Sequence, residues 1–199
     1  MFAHKARGLL VGSRPKFSSR QLSIKAAYSS SFPTTLHHYR PTPTILYDRA
    51  EQGRRPHDPF EDSVIVNEDG LVYPSPPKAT ASGCNGAVMY PNSFNFQEMV
   101  RQYYDEMLDR KDEDMKVDVP YIFTVPKGTP IPSSLILSLI SVPHFSLQPS
   151  FGMPLQDLND RLHEFFAHYS IKEKADCWLD EHPYSEAFPD TEADRWMRE

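Results

Sequence analysis

The chain has 199 residues, 39% hydrophobic and 12% aromatic, which suffices to bury one core of ordinary size and not two. Its formal net charge is −6, and the charge is segregated: residues 1–47 hold seven Lys or Arg and no acid, whereas the remaining 152 hold 14 basic against 27 acidic side chains. An acidic body lacks the basic patch that neutralising nucleic-acid phosphates requires, so nucleic acid is not an expected partner. No apolar run reaches the length that crosses a bilayer, and two cysteines, Cys84 and Cys177, are too few and too far apart for a disulfide framework or a zinc pair.

Residues 1–31 combine Lys5, Arg7, Arg14, Lys16, Arg20 and Lys25 with frequent serine and no acid. That composition reads either as a mitochondrial transit peptide or as a disordered basic tail of a cytoplasmic protein. The apolar run around Gly8 to Gly12 is too short for a secretory signal. A folded domain is expected over residues 32–170, followed by an acidic extension over 171–199.

Proline, at 19 residues, removes backbone donors and fixes φ, so the domain is expected to be loop-rich with short strands. The first strand is predicted across Thr34 to Tyr39, ended by Pro41 and Pro43, with Thr44 to Tyr47 as a second short apolar piece. The polar stretch EQGRRPHDPFED that follows has no periodicity and reads as a surface loop. Val64 to Val66 and Leu71 to Tyr73 flank Asp69-Gly70 and could form a hairpin about that turn. Pro74 to Gly86 reads as an irregular loop.

Phe96, Met99, Val100, Tyr103, Tyr104, Met107 and Leu108 recur at helical spacing and predict one helix face. Its start is marked by Ser93 as a cap or by Asn95 with Glu98 as a capping box. The charged run DRKDEDMK after it reads as a solvated loop. Strands are predicted at Tyr121 to Val125, Leu135 to Ile140 and Phe145 to Gln148, with Lys127-Gly128-Thr129-Pro130 as the intervening turn. In the last strand Ser146 and Gln148 alternate with Phe145 and Leu147, so one face is polar and is the first place to seek a site. A second helix, entered at Pro154, carries Leu155, Leu158, Leu162, Phe165, Phe166 and Tyr169 on one face. A short helix around Lys172 to Glu181 is expected to pack Trp178 on the core.

The sequence contains no G-x-S-x-G elbow, Walker loop, G-x-G-x-x-G or H-E-x-x-H. His37 and His38 adjoin on a predicted strand, so their side chains point to opposite faces and cannot chelate one metal together. No metal site is expected. His144 sits at the edge of the short polar-faced strand. Gly86, in Asn85-Gly86-Ala87-Val88, would allow close approach of a ligand phosphate to the backbone, and simple turn chemistry explains it equally well.

Six segments occur in register: Leu36-His37-His38-Tyr39-Arg40, Leu46-Tyr47-Asp48, Asp69 to Pro74, Asn85-Gly86-Ala87, Gly128 to Pro132 and His144 to Pro149. Together they resemble the type VI secretion effector toxins with an ADP-ribosyltransferase toxin-like domain, and their fungal relatives. The resemblance implies an α+β fold of two short antiparallel β-sheets forming a cleft for NAD, with flanking helices. It implies a transferase (a glycosyltransferase acting on NAD) that transfers or cleaves ADP-ribose, with a protein or small-molecule acceptor and a protein inhibitor as further partners.

Carried over by position, the first element of the family's site falls on His37, His38 or Arg40, with Tyr39 as the neighbouring aromatic. The second falls on Gly86, Ala87 and Val88, where this chain departs from the pattern: relatives carry Ser at Val88. The third falls on Gln148, an amide where transferases using general-base chemistry carry Glu. The resemblance thus implies His38, Tyr39, Arg40, Gly86 and Val88 as NAD-binding residues and Gln148 and His144 as catalytic ones. The alternative it leaves open is an attenuated NAD- or protein-binding module on the same scaffold. A third reading, resting on residues 1–31 alone, is a mitochondrial accessory protein.

Overall fold

The computed structural model describes residues 27–41, 43, 47, 64–76, 84–112, 119–141 and 144–183. Residues 1–26, Thr44 to Leu46, the EQGRRPHDPFED stretch, the second half of the DRKDEDMK run and residues 184–199 lie outside these, so the expectations placed on them are not addressed by the fold.

Nine strands and three helices follow one another among the described residues: β1 (Ala27–Tyr28), β2 (Leu36–Arg40), β3 (Leu71–Val72), β4 (Ala87–Met89), α1 (Phe94–Asp112), β5 (Tyr121–Val125), β6 (Leu135–Ser141), β7 (His144–Pro149), β8 (Met153–Pro154), α2 (Leu155–Tyr169), β9 (Ile171–Lys174) and α3 (Ala175–Glu181). They form a four-stranded sheet in the order β1-β6-β7-β4, a three-stranded sheet in the order β2-β5-β9 and a β3-β8 pair. Every pairing is antiparallel. The chain is thus of mixed α and β structure with antiparallel sheets, as the alternating short strands and two helical stripes predict.

Local chemistry explains most of these elements. Tyr-Ile-Phe-Thr-Val in β5 is wholly aromatic or β-branched. The turn after it closes through the Thr129 N–H and Oγ1, both donating to the Pro126 carbonyl at 3.2 and 2.7 Å. Gly128 takes φ +82° there, a conformation in which a side chain would be strained. Residues 30–32 strap this turn down: Phe32 exchanges backbone hydrogen bonds with Gly128 and Thr129, and the Ile131 N–H donates to Ser30.

Ser93 is the cap of α1, accepting at Oγ from the Phe96 N–H at 3.3 Å, so the Asn95/Glu98 box is not what starts the helix. Along it Phe96 and Val100 are buried, whereas Leu108 is exposed. In α2, Leu158, Leu162, Phe165 and Phe166 are buried as the stripe predicts, and Asn159 is buried beside them.

Three expectations are corrected. The Asp69-Gly70 turn forms, with Gly70 at φ +82° and its N–H donating to Asn67, but β3 pairs with β8 through Leu71↔Pro154 and Val72↔Met153, not with Val64 to Val66. The start of the charged run, expected as loop, continues α1 to Asp112, since Arg and Lys favour the helix as well as most residues do. The segment Lys172 to Lys174, expected as helix, is strand β9, and helix begins only at Ala175. The edge of β5 offers a full antiparallel register to Ile171–Lys174, and a ladder outweighs the modest helical propensity of three residues. β9 and α3 therefore belong to the folded body, which runs past residue 170 where the acidic extension was expected to start. Ala27–Tyr28 likewise pairs with β6, inside the segment expected to precede the domain.

The alternation of β2 divides the interior in two. Leu36 joins Phe123 and Val125 in the larger core with α2 and the inner face of β6 and β7. Tyr39 joins Ile122, Val88, Tyr90, Phe96, Val100 and Trp178 in the second core, under α1 and α3. His37 points into this second core: its ring stacks on Phe96 at 5.8 Å, meets Trp178 edge-on at 5.1 Å and His182 at 5.6 Å, and its Nδ1 is 2.9 Å from Thr124 Oγ1.

Burial first, and the nearby His182 second, lower the His37 pKa from 6.5 to about 3. The folded chain therefore keeps His37 neutral, and the contribution is fully present above about pH 6.5, where the unfolded chain is also neutral. It is lost as pH falls from 6.5 towards 3, at up to about 1.4 kcal/mol per unit. Urea unfolding of His37→Gln across that window should show a flatter fall than the unaltered chain; equal slopes would contradict the assignment.

Candidate functional site

The polar face of β7 continues across the sheet. Val88 on β4 lies opposite Ser146 on β7, which lies opposite Ser138 on β6, so the three share one face as a row. Gln148 stands next along β7. Ala87, Met89, Phe145 and Leu147 occupy the other face, in the larger core. Ser138 interrupts an otherwise apolar run, Leu-Ile-Leu-Ser-Leu-Ile, and that interruption is the sequence signal by which it could have been grouped with Ser146 and Gln148.

Every polar atom of the Gln148 side chain is used. Its Oε1 accepts from the Ser75 N–H at 3.1 Å, and its Nε2 donates to the Ser75 carbonyl at 3.0 Å and to Ser138 Oγ at 2.6 Å. The amide thus pairs with both backbone groups of one residue, as a neighbouring strand would. Ser146 Oγ donates to the Cys84 carbonyl at 2.6 Å. Gln148 is 0% and Ser146 0% exposed.

Gly86 packs against β7 at this point. A Cβ on Gly86 would fall 2.1 Å from the Leu147 carbonyl oxygen and 2.7 Å from Gln148 Cα, both backbone atoms that cannot swing aside. Its lack of a side chain is what lets the chain enter β4 beside Gln148. From the other sheet His38 meets the far edge of β4: its Nδ1 lies 2.8 Å from the Val88 carbonyl oxygen, while its ring stacks on Phe166 at 5.2 Å on the larger-core side, the opposite face from the Gln148 side chain.

Three of the seven residues implied by the resemblance, Gly86, Val88 and Gln148, therefore come together where β4 runs beside β7. The junction is filled by the chain itself rather than forming a cleft open to solvent among the described residues. Two surface hollows, of about 220 and 320 Å³, lie elsewhere; the first is lined by Phe123, His163 and Lys172 among others, the second by Ser134, Arg161 and His168, and neither includes any of the seven.

The remaining four, His38 among them, are placed apart from Gln148. Tyr39 is on the opposite face of β2 from His38, buried in the second core against the Tyr103 ring. The Arg40 guanidinium sits over the Tyr47 ring at 5.2 Å. His144 begins β7, four residues before Gln148, which is about 13 Å along a strand. Its ring meets Tyr90 edge-on at 4.7 Å, and burial lowers its pKa, which favours the neutral imidazole. Among the described residues no group of three or more His, Cys, Asp or Glu could hold a metal ion, and no helix is long and apolar enough to cross a membrane.

Gly86→Ala should destabilise the chain by about 3 kcal/mol or more, because relief requires parting β4 from β7. Chemical denaturation measures this, and a loss under about 1 kcal/mol would show that the junction can relax.

No curated protein and no solved structure matches the chain in comparisons with either set. A family model does match, over residues 34–178, and its description is the Tse2 ADP-ribosyltransferase toxin. That span runs from Thr34, just before β2, to Trp178 in α3, and takes in all seven candidate residues and the greater part of both cores. The chain belongs to the Tse2 ADP-ribosyltransferase toxin family.

Proposed function

We propose that the chain is an NAD-dependent ADP-ribosyltransferase toxin whose substrate engages the polar face of β7 beside β4. The observation that carries this is the closeness of Gly86, Val88 and Gln148 where β4 runs beside β7, in a chain that belongs to a transferase toxin family. In the reaction the bond between nicotinamide nitrogen and ribose carbon breaks, its electron pair leaves with nicotinamide, and the sugar carbon bonds to an acceptor oxygen or nitrogen that gives up a proton. Positive charge develops on the ribose as nicotinamide departs, so catalysis depends on holding the sugar while that charge forms.

Gln148 suits the holding role. Its amide offers a donor and an acceptor to ribose hydroxyls and has no useful affinity for a proton. His144, which burial biases to the neutral imidazole, lies about 13 Å along the same strand and is assigned in this reading to proton acceptance on the acceptor side. Gly86 brings the chain against β7 beside Gln148, and His38, hydrogen-bonded at the Val88 carbonyl and stacked on Phe166, steadies β4 from the second sheet. The acceptor is a protein or small molecule, a protein inhibitor is the natural antagonist of such an activity, and secretion through a type VI apparatus and kinship with fungal chains are the finer parts of this reading.

A second reading has its own support. Val88 supplies no hydroxyl, and all the hydrogen-bonding atoms of Gln148 are occupied, which suits an attenuated binding module on the same scaffold. Inducible expression in bacteria separates the two: growth arrest with release of nicotinamide, abolished by Gln148→Ala in a variant shown to be folded by circular dichroism, is the expected result. Normal growth with no shift of Tm at millimolar NAD would remove the enzyme from consideration. Val88→Ser should raise whatever activity is measured.

A mitochondrial address in residues 1–31 is a separate proposal, alternative to a cytoplasmic chain. Because β1 begins at Ala27 and pairs with β6, a processing site compatible with the fold lies before residue 27. Residues 1–26 fused to a fluorescent reporter should direct it to mitochondria; a diffuse signal would end the idea.

A further inference from the structure

The segment that occupies the polar face of β7 is built unlike the rest of the fold. Ser75 is flanked by Pro74 and Pro76, with Pro77 following, so the Ser75 N–H is the sole backbone donor across four residues. Flanking prolines also hold Ser75 in an extended conformation whether or not it touches anything. That one donor goes to the Gln148 side chain rather than to a backbone ladder, and the Ser75 carbonyl accepts from the same amide.

The cover is one residue deep. Pro74 and Pro76 are exposed, and Ser75 alone is buried between them. Lifting it uncovers little apolar surface, so the hydrophobic effect resists the movement weakly. Upstream it is rooted firmly: Val72 pairs with Met153, the Tyr73 ring lies where a Cβ on Gly152 would come within 2.5 Å of it, and the Tyr73 carbonyl accepts from Asn85 Nδ2 at 2.8 Å. The root at Tyr73 and the paired hydrogen bonds from Gln148 to Ser75 make the segment a strap across the face.

A comparison within the chain sharpens the point. Asn159 pairs with both backbone groups of Tyr47 in the same manner, at 2.8 and 3.0 Å. There, however, the pinned residue also buries an aromatic ring in the larger core. Ser75 brings only a hydroxymethyl group. The Asn159 contact is a fixture of the core; the Gln148 contact has no buried ring behind it.

We infer that residues 74–76 are a detachable strap that closes the Gln148 face in the unliganded chain, and that a ligand bearing a cis-diol displaces it. With Ser75 away, the Gln148 amide presents an acceptor and a donor side by side, with Ser138 Oγ next to the donor. One hydroxyl of a ribose donates to Oε1 where the Ser75 N–H did, and its neighbour accepts from Nε2 where the Ser75 carbonyl did. The diol half of this rests on the NAD reading above; the strap itself rests on Ser75.

Hydrogen exchange at the Ser75 amide tests it directly, because its prolines leave no neighbouring amide to confuse the signal. In the unliganded full chain Ser75 should exchange by local opening, independent of low urea and about a hundredfold faster than amides of the β6–β7 ladder. Millimolar NAD should accelerate it further, and Ser75→Pro, which deletes the donor, should tighten NAD binding about tenfold in calorimetry. Exchange of Ser75 only together with the ladder, with the same urea dependence, would overturn the strap. NAD binding that leaves Ser75 protected, or equal affinity in Ser75→Pro, keeps the NAD reading and overturns the strap as its gate. Local release of Ser75 with no NAD binding in either chain keeps the strap and overturns the NAD reading and the diol with it.

Discussion

The fold turns on a single short contact: the N–H of His37 donates to the Tyr90 carbonyl at 2.7 Å, and the N–H of Tyr90 donates to the His37 carbonyl at 2.8 Å. This isolated bridge is where the three-stranded sheet meets the four-stranded one. Because side chains alternate along β2, fixing His37 at that point sends Leu36 and His38 towards α2 and sends His37 and Tyr39 towards α1 and α3. A slip of one residue would exchange the two sets, driving imidazole where Leu36 packs and Leu36 among the rings of the second core. The bridge therefore sets the register of the interior, and the two cores in turn hold the bridge.

Around that junction, irregular backbone is held by amide side chains. Asn85 accepts from the Ile65 N–H at 2.9 Å and donates to the Tyr73 carbonyl, Asn159 takes both groups of Tyr47, and Gln148 takes both groups of Ser75. A chain with 19 prolines has many stretches that cannot join a ladder, and buried backbone groups still require partners. An amide carries both a donor and an acceptor at the spacing of a peptide, so it can stand in for a strand where no strand fits. Asn85 itself adopts φ +47°, a conformation that Asn tolerates better than most residues.

That economy bears on function. An amide engaged with both backbone groups of Ser75 cannot at the same time grip a sugar, so under the proposed reading the chain as folded is closed until Ser75 gives way. Val88 fits this picture as well: an apolar side chain in the row beside Ser146 costs nothing while the face is closed and joins the second core instead.

Much of this was legible in the sequence. The three central strands, both long helices, Ser93 as a cap and the turn at Gly128 follow from period, capping and turn chemistry, all of which act over a few residues. The polar character of Ser146 and Gln148 was likewise visible from alternation against Phe145 and Leu147. What could not be read was which strand lies beside which. β9 is a strand because β5 offers it an edge, β3 pairs with β8 far along the chain rather than with its neighbour, and Ser75 closes the face because Gln148 reaches it. Residue types determined what each segment could do locally; only the tertiary structure decided that Gly86, Val88 and Gln148 come together across β4 and β7 while His38 faces the larger core, since pairing across long separations depends on edges and cores that no local window contains.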